Sequence, residues 1–150
     1  MSFQEKNITV SLVNFILILG FYLLRVFQMI QHGSFNATHV FRLWGIVIVA
    51  AVVVTIAATI LTHIVSAIIQ AIQTQAEPVV EDIADERDKF IDLKGTKVTY
   101  LVSSIGSLLA MLTFPLGQPP LVMFTLLIFF GVVAQIVGDM ARLYFYRRGF

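Results

Sequence analysis

The chain has no cysteine, few charges and no catalytic signature. Without cysteine there is no disulfide, no thiol nucleophile and no thiolate-held metal, and the usual pointer to a redox compartment is missing. Charged residues make up 13% of the 150, where a water-soluble domain carries about a quarter. Lys and Arg number 10 against 9 Asp and Glu, a net charge of +1, so the basic stripe that nucleic acid requires is absent. There is no G-x-S-x-G, no P-loop and no pair of acids within an apolar stretch, which argues against an enzyme. Ser2 in place of glycine and the lack of cysteine exclude the common acylation motifs, and no repeat or low-complexity tract is present. What the chain does have is apolar surface. A hydrophobic content of 58% and a mean hydropathy of +0.89 specify an integral membrane protein, and the length suits one transmembrane domain over residues 1–150.

Charge-free windows place the spans, because an ionised side chain at the bilayer centre costs about 2.5 to 3.5 kcal/mol on insertion scales. The first window lies between Lys6 and Arg25, and Arg25 can snorkel to extend it. A cleaved signal peptide is the competing reading here, but the apolar run is too long and no small-residue cleavage site follows Arg25. The second window, Leu43 to Ala76, would be roughly 50 Å long as one helix, so its Gln-rich end projects into water. The third, Val98 to Gly138, would be about 60 Å as one helix, twice the hydrocarbon thickness, and must fold back. The break is Phe114-Pro115-Leu116-Gly117-Gln118-Pro119-Pro120, which cannot continue a helix. The expectation is all-α, a four-helix membrane bundle with spans at about 8–29, 43–66, 98–113 and 121–138. With four spans, eight of the ten basic residues share one side and only Arg25 and Arg42 face the other. With three spans the basic residues divide evenly. The positive-inside rule therefore favours a multi-pass membrane protein with both termini cytoplasmic.

Each span carries one small or polar face. In the second, Thr55, Thr59, Thr62, Ser66, Gln70 and Gln73 recur every third or fourth residue, one continuous helical face. Such a stripe either packs helices closely or lines a water-filled path. The third span offers Ser103, Gly106, Ser107 and Ala110. The fourth offers Gly131, Ala134, Gln135 and Gly138, then Asp139 and Arg142 as an i,i+3 pair. Asp139 reads either as half of an ion pair anchored near the interface or as a member of an ion or proton relay. The first span adds Ser11 and Asn14. His32 and His39 flank a loop, and His63 belongs to another part of the chain. No H-x-x-x-H or E-x-x-H spacing raises the case for a metal, so no metal or cofactor is expected.

Seven of the nine acids lie between Glu77 and Asp92. Residues 78–94 read as an amphipathic cytoplasmic helix between spans 2 and 3, with Pro78 in its first turn, acids at its start and bases towards its end. Gly95 either ends that helix or lets it run on into span 3. Asp85, Glu86, Arg87, Asp88 and Lys89 are a candidate docking face for a cytoplasmic protein; the other reading is a solvated face that only keeps the segment in water.

Asp85-Glu86-Arg87-Asp88-Lys89, then Ile91, Leu93-Lys94 and Tyr100, with the closing Ala141-Arg142-Leu143-Tyr144-Phe145-Tyr146-Arg147-Arg148-Gly149, resemble the small prokaryotic membrane proteins grouped as domain-of-unknown-function family 2178. The resemblance covers about the second half of the chain. It implies a prokaryotic cell membrane and four spans, and it implies no substrate and no functional residue.

Together these readings point to a non-enzymatic accessory, regulatory or structural membrane component. It would act through helix–helix contacts, self-association and a cytoplasmic protein partner, with lipid around it. The alternative is a homo-oligomeric channel or small transporter lined by the Thr/Ser face of the second span, with Gln135, Asp139 and Arg142 near its inner mouth.

Overall fold

The computed structural model describes residues 3–74 and 86–148, and four helices account for most of them. These are α1 (Phe3–Gln31), α2 (Ala37–Thr74), α3 (Glu86–Leu112) and α4 (Pro120–Arg148). Each is long and apolar enough to cross a membrane, α2 by way of its Ala37–Leu61 portion.

The helices outrun the apolar windows because their polar ends suit the helix dipole. Glu86 and Asp88 occupy the first turn of α3, and Arg147 and Arg148 the last turn of α4. From Glu86 onward the segment expected as a cytoplasmic helix is the beginning of α3 itself, which runs through Gly95 without a break. The part before Glu86, including Asp85, lies outside the described residues. Gly95 serves close approach rather than termination: a Cβ there would collide with the Arg142 side chain of α4.

Two compact turns make the hairpins. After α1, Gly33 takes a left-handed φ of 64°, the Ser34 amide donates to the Met29 carbonyl at 2.9 Å and the Gly33 amide to Ile30 at 3.3 Å. That pair of bonds is a Schellman cap. Asn36 then accepts the His39 amide on its side-chain oxygen at 3.0 Å, the N-cap of α2. The proline-rich turn repeats the device: Gly117 has a φ of 80°, with Gln118 N–H donating to Thr113 at 3.1 Å and Gly117 N–H to Phe114 at 3.0 Å. Pro120 opens α4, where a missing N–H costs nothing.

The apolar core lies among α1, α2 and α4, built from Ile18 and Tyr22, Leu43 and Val47, Ile128 and Val132. Tyr22 is 2% exposed and donates its hydroxyl to the Thr125 carbonyl at 2.6 Å, so its one polar atom is satisfied. Helix α3 packs chiefly along α4. The seam between them is small-sided: Gly95, Gly106 and Ala110 of α3 and Ala134 and Gly138 of α4 are buried. Gly106 sits against the Phe130 ring, and Gly138 receives the Thr99 side chain, whose hydroxyl donates back to the Gly95 carbonyl at 3.2 Å. Gly131, read with the same small face, has no neighbour within 4 Å of where its Cβ would be. The outward surfaces carry exposed Leu17, Leu24, Val49, Leu61, Leu101 and Leu108, the reverse of a water-soluble fold.

Candidate functional site

Antiparallel pairing of α3 with α4 sets the start of one helix beside the end of the other. Asp88, Asp92 and Thr96 of α3 share one helical face, and they meet Tyr146 and Arg142 of α4. The Tyr146 hydroxyl donates to Asp88 at 2.7 Å, and Arg87 donates to the Tyr146 carbonyl at 3.3 Å. One turn further in, Arg142 uses all three guanidinium nitrogens. Nε donates to Asp92 at 2.9 Å, Nη1 to Asp139 at 2.9 Å and Nη2 to Thr96 at 2.9 Å.

Asp139 is the centre of this network. It is 2% exposed, the one buried charged residue among those described. Oδ1 accepts from Arg142 and, at 3.2 Å, from the Gln135 amide one turn back, while Oδ2 accepts from the Ser11 hydroxyl of α1 at 2.7 Å. Helices α1 and α4 thereby meet at one carboxylate, and α3 joins the network through Arg142. An unpaired buried carboxylate would be far too costly to keep ionised; a guanidinium and two neutral donors make the charge tolerable. The two acids that share Arg142 differ in setting, since the Asp92 side chain is 69% exposed and that of Asp139 4%.

The network faces a cavity of about 430 Å³, within the range of small-ligand sites. Asn7 and Ser11 of α1 line it, as do Asp88, Lys89 and Asp92 of α3 and Gln135, Asp139, Arg142 and Tyr146 of α4. Helix α2 adds Thr55 and Thr59 to the lining. The Thr59 hydroxyl donates to its own helix, to the Thr55 carbonyl at 2.9 Å, which leaves its oxygen able to accept from a guest. Acids and bases face the same space, so the cavity suits water, an ion or a small polar solute better than an apolar molecule.

Of the residues singled out in the sequence, Thr55, Thr59, Gln135, Asp139 and Arg142 thus come together at this cavity. Thr62 and Ser66 belong to α2, but their side chains lie outside the described residues, as does that of His63. In the candidate docking face, Arg87 and Asp88 bond to Tyr146 near the end of α4, and Glu86, Arg87 and Lys89 are exposed. Sequence reasoning passed over Asp92, Thr96 and Tyr146. Their signal was a matched periodicity, acids at 88 and 92 against Arg142 and Tyr146, which becomes visible only when the two helices are set antiparallel. No group of three or more His, Asp or Glu that could hold a metal occurs among the described residues.

No family model, curated protein or solved structure matches the chain.

Proposed function

We propose that the chain is a non-enzymatic, multi-pass protein of the prokaryotic cell (inner) membrane with both termini cytoplasmic, a regulatory component that acts through protein contacts at its charged end. Membrane residence is supported by the exposed leucines and by α2, which stays helical through Val52-Val53-Val54-Thr55-Ile56. Such a β-branched run is a weak helix former in water, whereas in lipid only a helix satisfies every backbone N–H and C=O of a single span.

The observation that carries the regulatory reading is the sharing of Arg142 between exposed Asp92 and buried Asp139. A basic partner that engages Asp92 competes for the same carboxylate as Arg142. Its binding is then felt at Asp139 and, through Ser11, at α1. Exposed Glu86 and Lys89 flank that surface and set partner specificity. The test is purification of the Glu86→Lys/Lys89→Glu variant, in which net charge is preserved. Loss of co-purifying proteins with helical content intact supports the reading, and an unchanged set of partners defeats it.

A second reading is favoured by the cavity itself. Thr55 and Thr59 beside Asp139 would line a hydrated path in a homo-oligomeric channel or small transporter. Thr55→Val/Thr59→Val should then change ion or solute flux in proteoliposomes at unchanged oligomer mass; no flux from the wild-type protein would remove this reading.

A further inference from the structure

At the opposite end, the α1–α2 hairpin forms a second cavity, of about 440 Å³, whose charge is of one sign. Arg25, His32, His39 and Arg42 all line it, and no acid does. Among the described residues, Asp and Glu occur only at 5, 86–92 and 139, and none of them lines this cavity. Among the described residues, the side chains of Arg42, His32 and His39 make no hydrogen bond, and Arg25 reaches only the Gln28 amide oxygen, at 3.5 Å, with its guanidinium 5.4 Å from the Phe21 ring centre.

The arrangement is built by the fold. Arg25 and Gln28 lie on one face of α1 with His32 in the turn just past its end, and His39 and Arg42 lie on one face of α2. The Schellman cap at Gly33 and the Asn36 N-cap hold the two faces against each other. Phe21, Met29, Leu43 and Ile46 supply an apolar part of the lining, and Gln28 and Ser34 add two neutral polar side chains. Two guanidiniums held beside an apolar floor without a counter-charge repel each other, and an anion relieves that repulsion. Arginine's planar fork matches a phosphate group in particular, and each imidazole adds an N–H donor.

We propose that this cavity binds a phosphate group, with Arg25 and Arg42 as its charge-bearing ligands and His32 and His39 as additional donors. The phosphate can belong to an anionic phospholipid headgroup, whose glycerol and acyl carbons the apolar lining accepts, or to a free anion. The lipid source rests on the membrane reading above; binding of a free anion does not.

The test uses the purified full-length protein in detergent, titrated with phosphatidylglycerol and phosphatidylcholine by native mass spectrometry and with inorganic phosphate by calorimetry. Retention of phosphatidylglycerol over phosphatidylcholine, weakened about tenfold or more in Arg25→Gln/Arg42→Gln, identifies a lipid site. Saturable inorganic phosphate binding with the same dependence, and no lipid preference, identifies a free-anion site. Should the glutamine variant lose helical content, Arg25→Lys/Arg42→Lys keeps the charge and removes the fork, and must bind several-fold more weakly. Absence of binding to every probe, equal binding by wild type and the arginine variants, or an equal loss in Lys97→Gln at the other end overturns the proposal.

Discussion

Ser11 of α1 donates its hydroxyl to Oδ2 of Asp139 on α4 at 2.7 Å, closing a chain of contacts that begins at the exposed Asp92 of α3. Through Arg142 and Asp139, a residue in contact with water is linked to the first span.

Breaking the pair is expected to be more damaging than removing it. Arg142→Met leaves Asp139 buried with only neutral donors and should cost about 3–5 kcal/mol. Adding Asp139→Asn to that variant should recover part of the loss. Thermal unfolding in detergent reads both, and a double variant no more stable than Arg142→Met would contradict the pairing.

The α3–α4 seam predicts opposite results for two glycines on one helix. At Gly138 a side chain meets Thr99, so Gly138→Val should separate the helices and destabilise strongly, with Thr99→Ala restoring part of the loss. At Gly131 nothing lies within 4 Å, and Gly131→Ala should be neutral or stabilising by up to about 1 kcal/mol. Equal effects at the two sites in an unfolding assay would count against this seam.

Tyr22→Phe removes a hydroxyl from a buried site while keeping the ring. The expected loss is about 0.5–1.5 kcal/mol, the worth of one internal hydrogen bond, with no change in oligomer mass. A larger loss would mean that the hydroxyl supports more than the Thr125 carbonyl.

The absence of native cysteine makes topology directly measurable. Single cysteines at Lys89 and at Ser34 should react with a membrane-impermeant maleimide from opposite sides, Lys89→Cys from the cytoplasmic one. Labelling of both from the same side would refute the four-span orientation.

How much of this was legible in the sequence depends on whether the cause was local. The proline-rich turn and the apolar windows are local, and they announced four helices. The unbroken course of α3 was not legible, because whether Gly95 ends a helix or admits a neighbour depends on Arg142, which arrives from α4. By contrast, α4 continues past Gly138 for a local reason, because Arg142 and Gln135 on the same helix accommodate Asp139 and the charge does not end it. The pair of Asp139 with Arg142 was readable from its i,i+3 spacing; the shares of Asp92 and Ser11 were not, since they come from other helices. His32 and His39, separated by a turn, gave no recognised spacing, yet the hairpin brings them to one cavity.

Asp92 and Ser11 share no hydrogen bond, and the bonds through Arg142 and Asp139 connect them. A double-mutant cycle with Asp92→Asn and Ser11→Ala, read as unfolding free energy in detergent, tests this connection most directly. A coupling energy of about 0.5–3 kcal/mol is expected, the range found within one network. Losses that add to within about 0.3 kcal/mol would show the two sites to be independent and would contradict the connection.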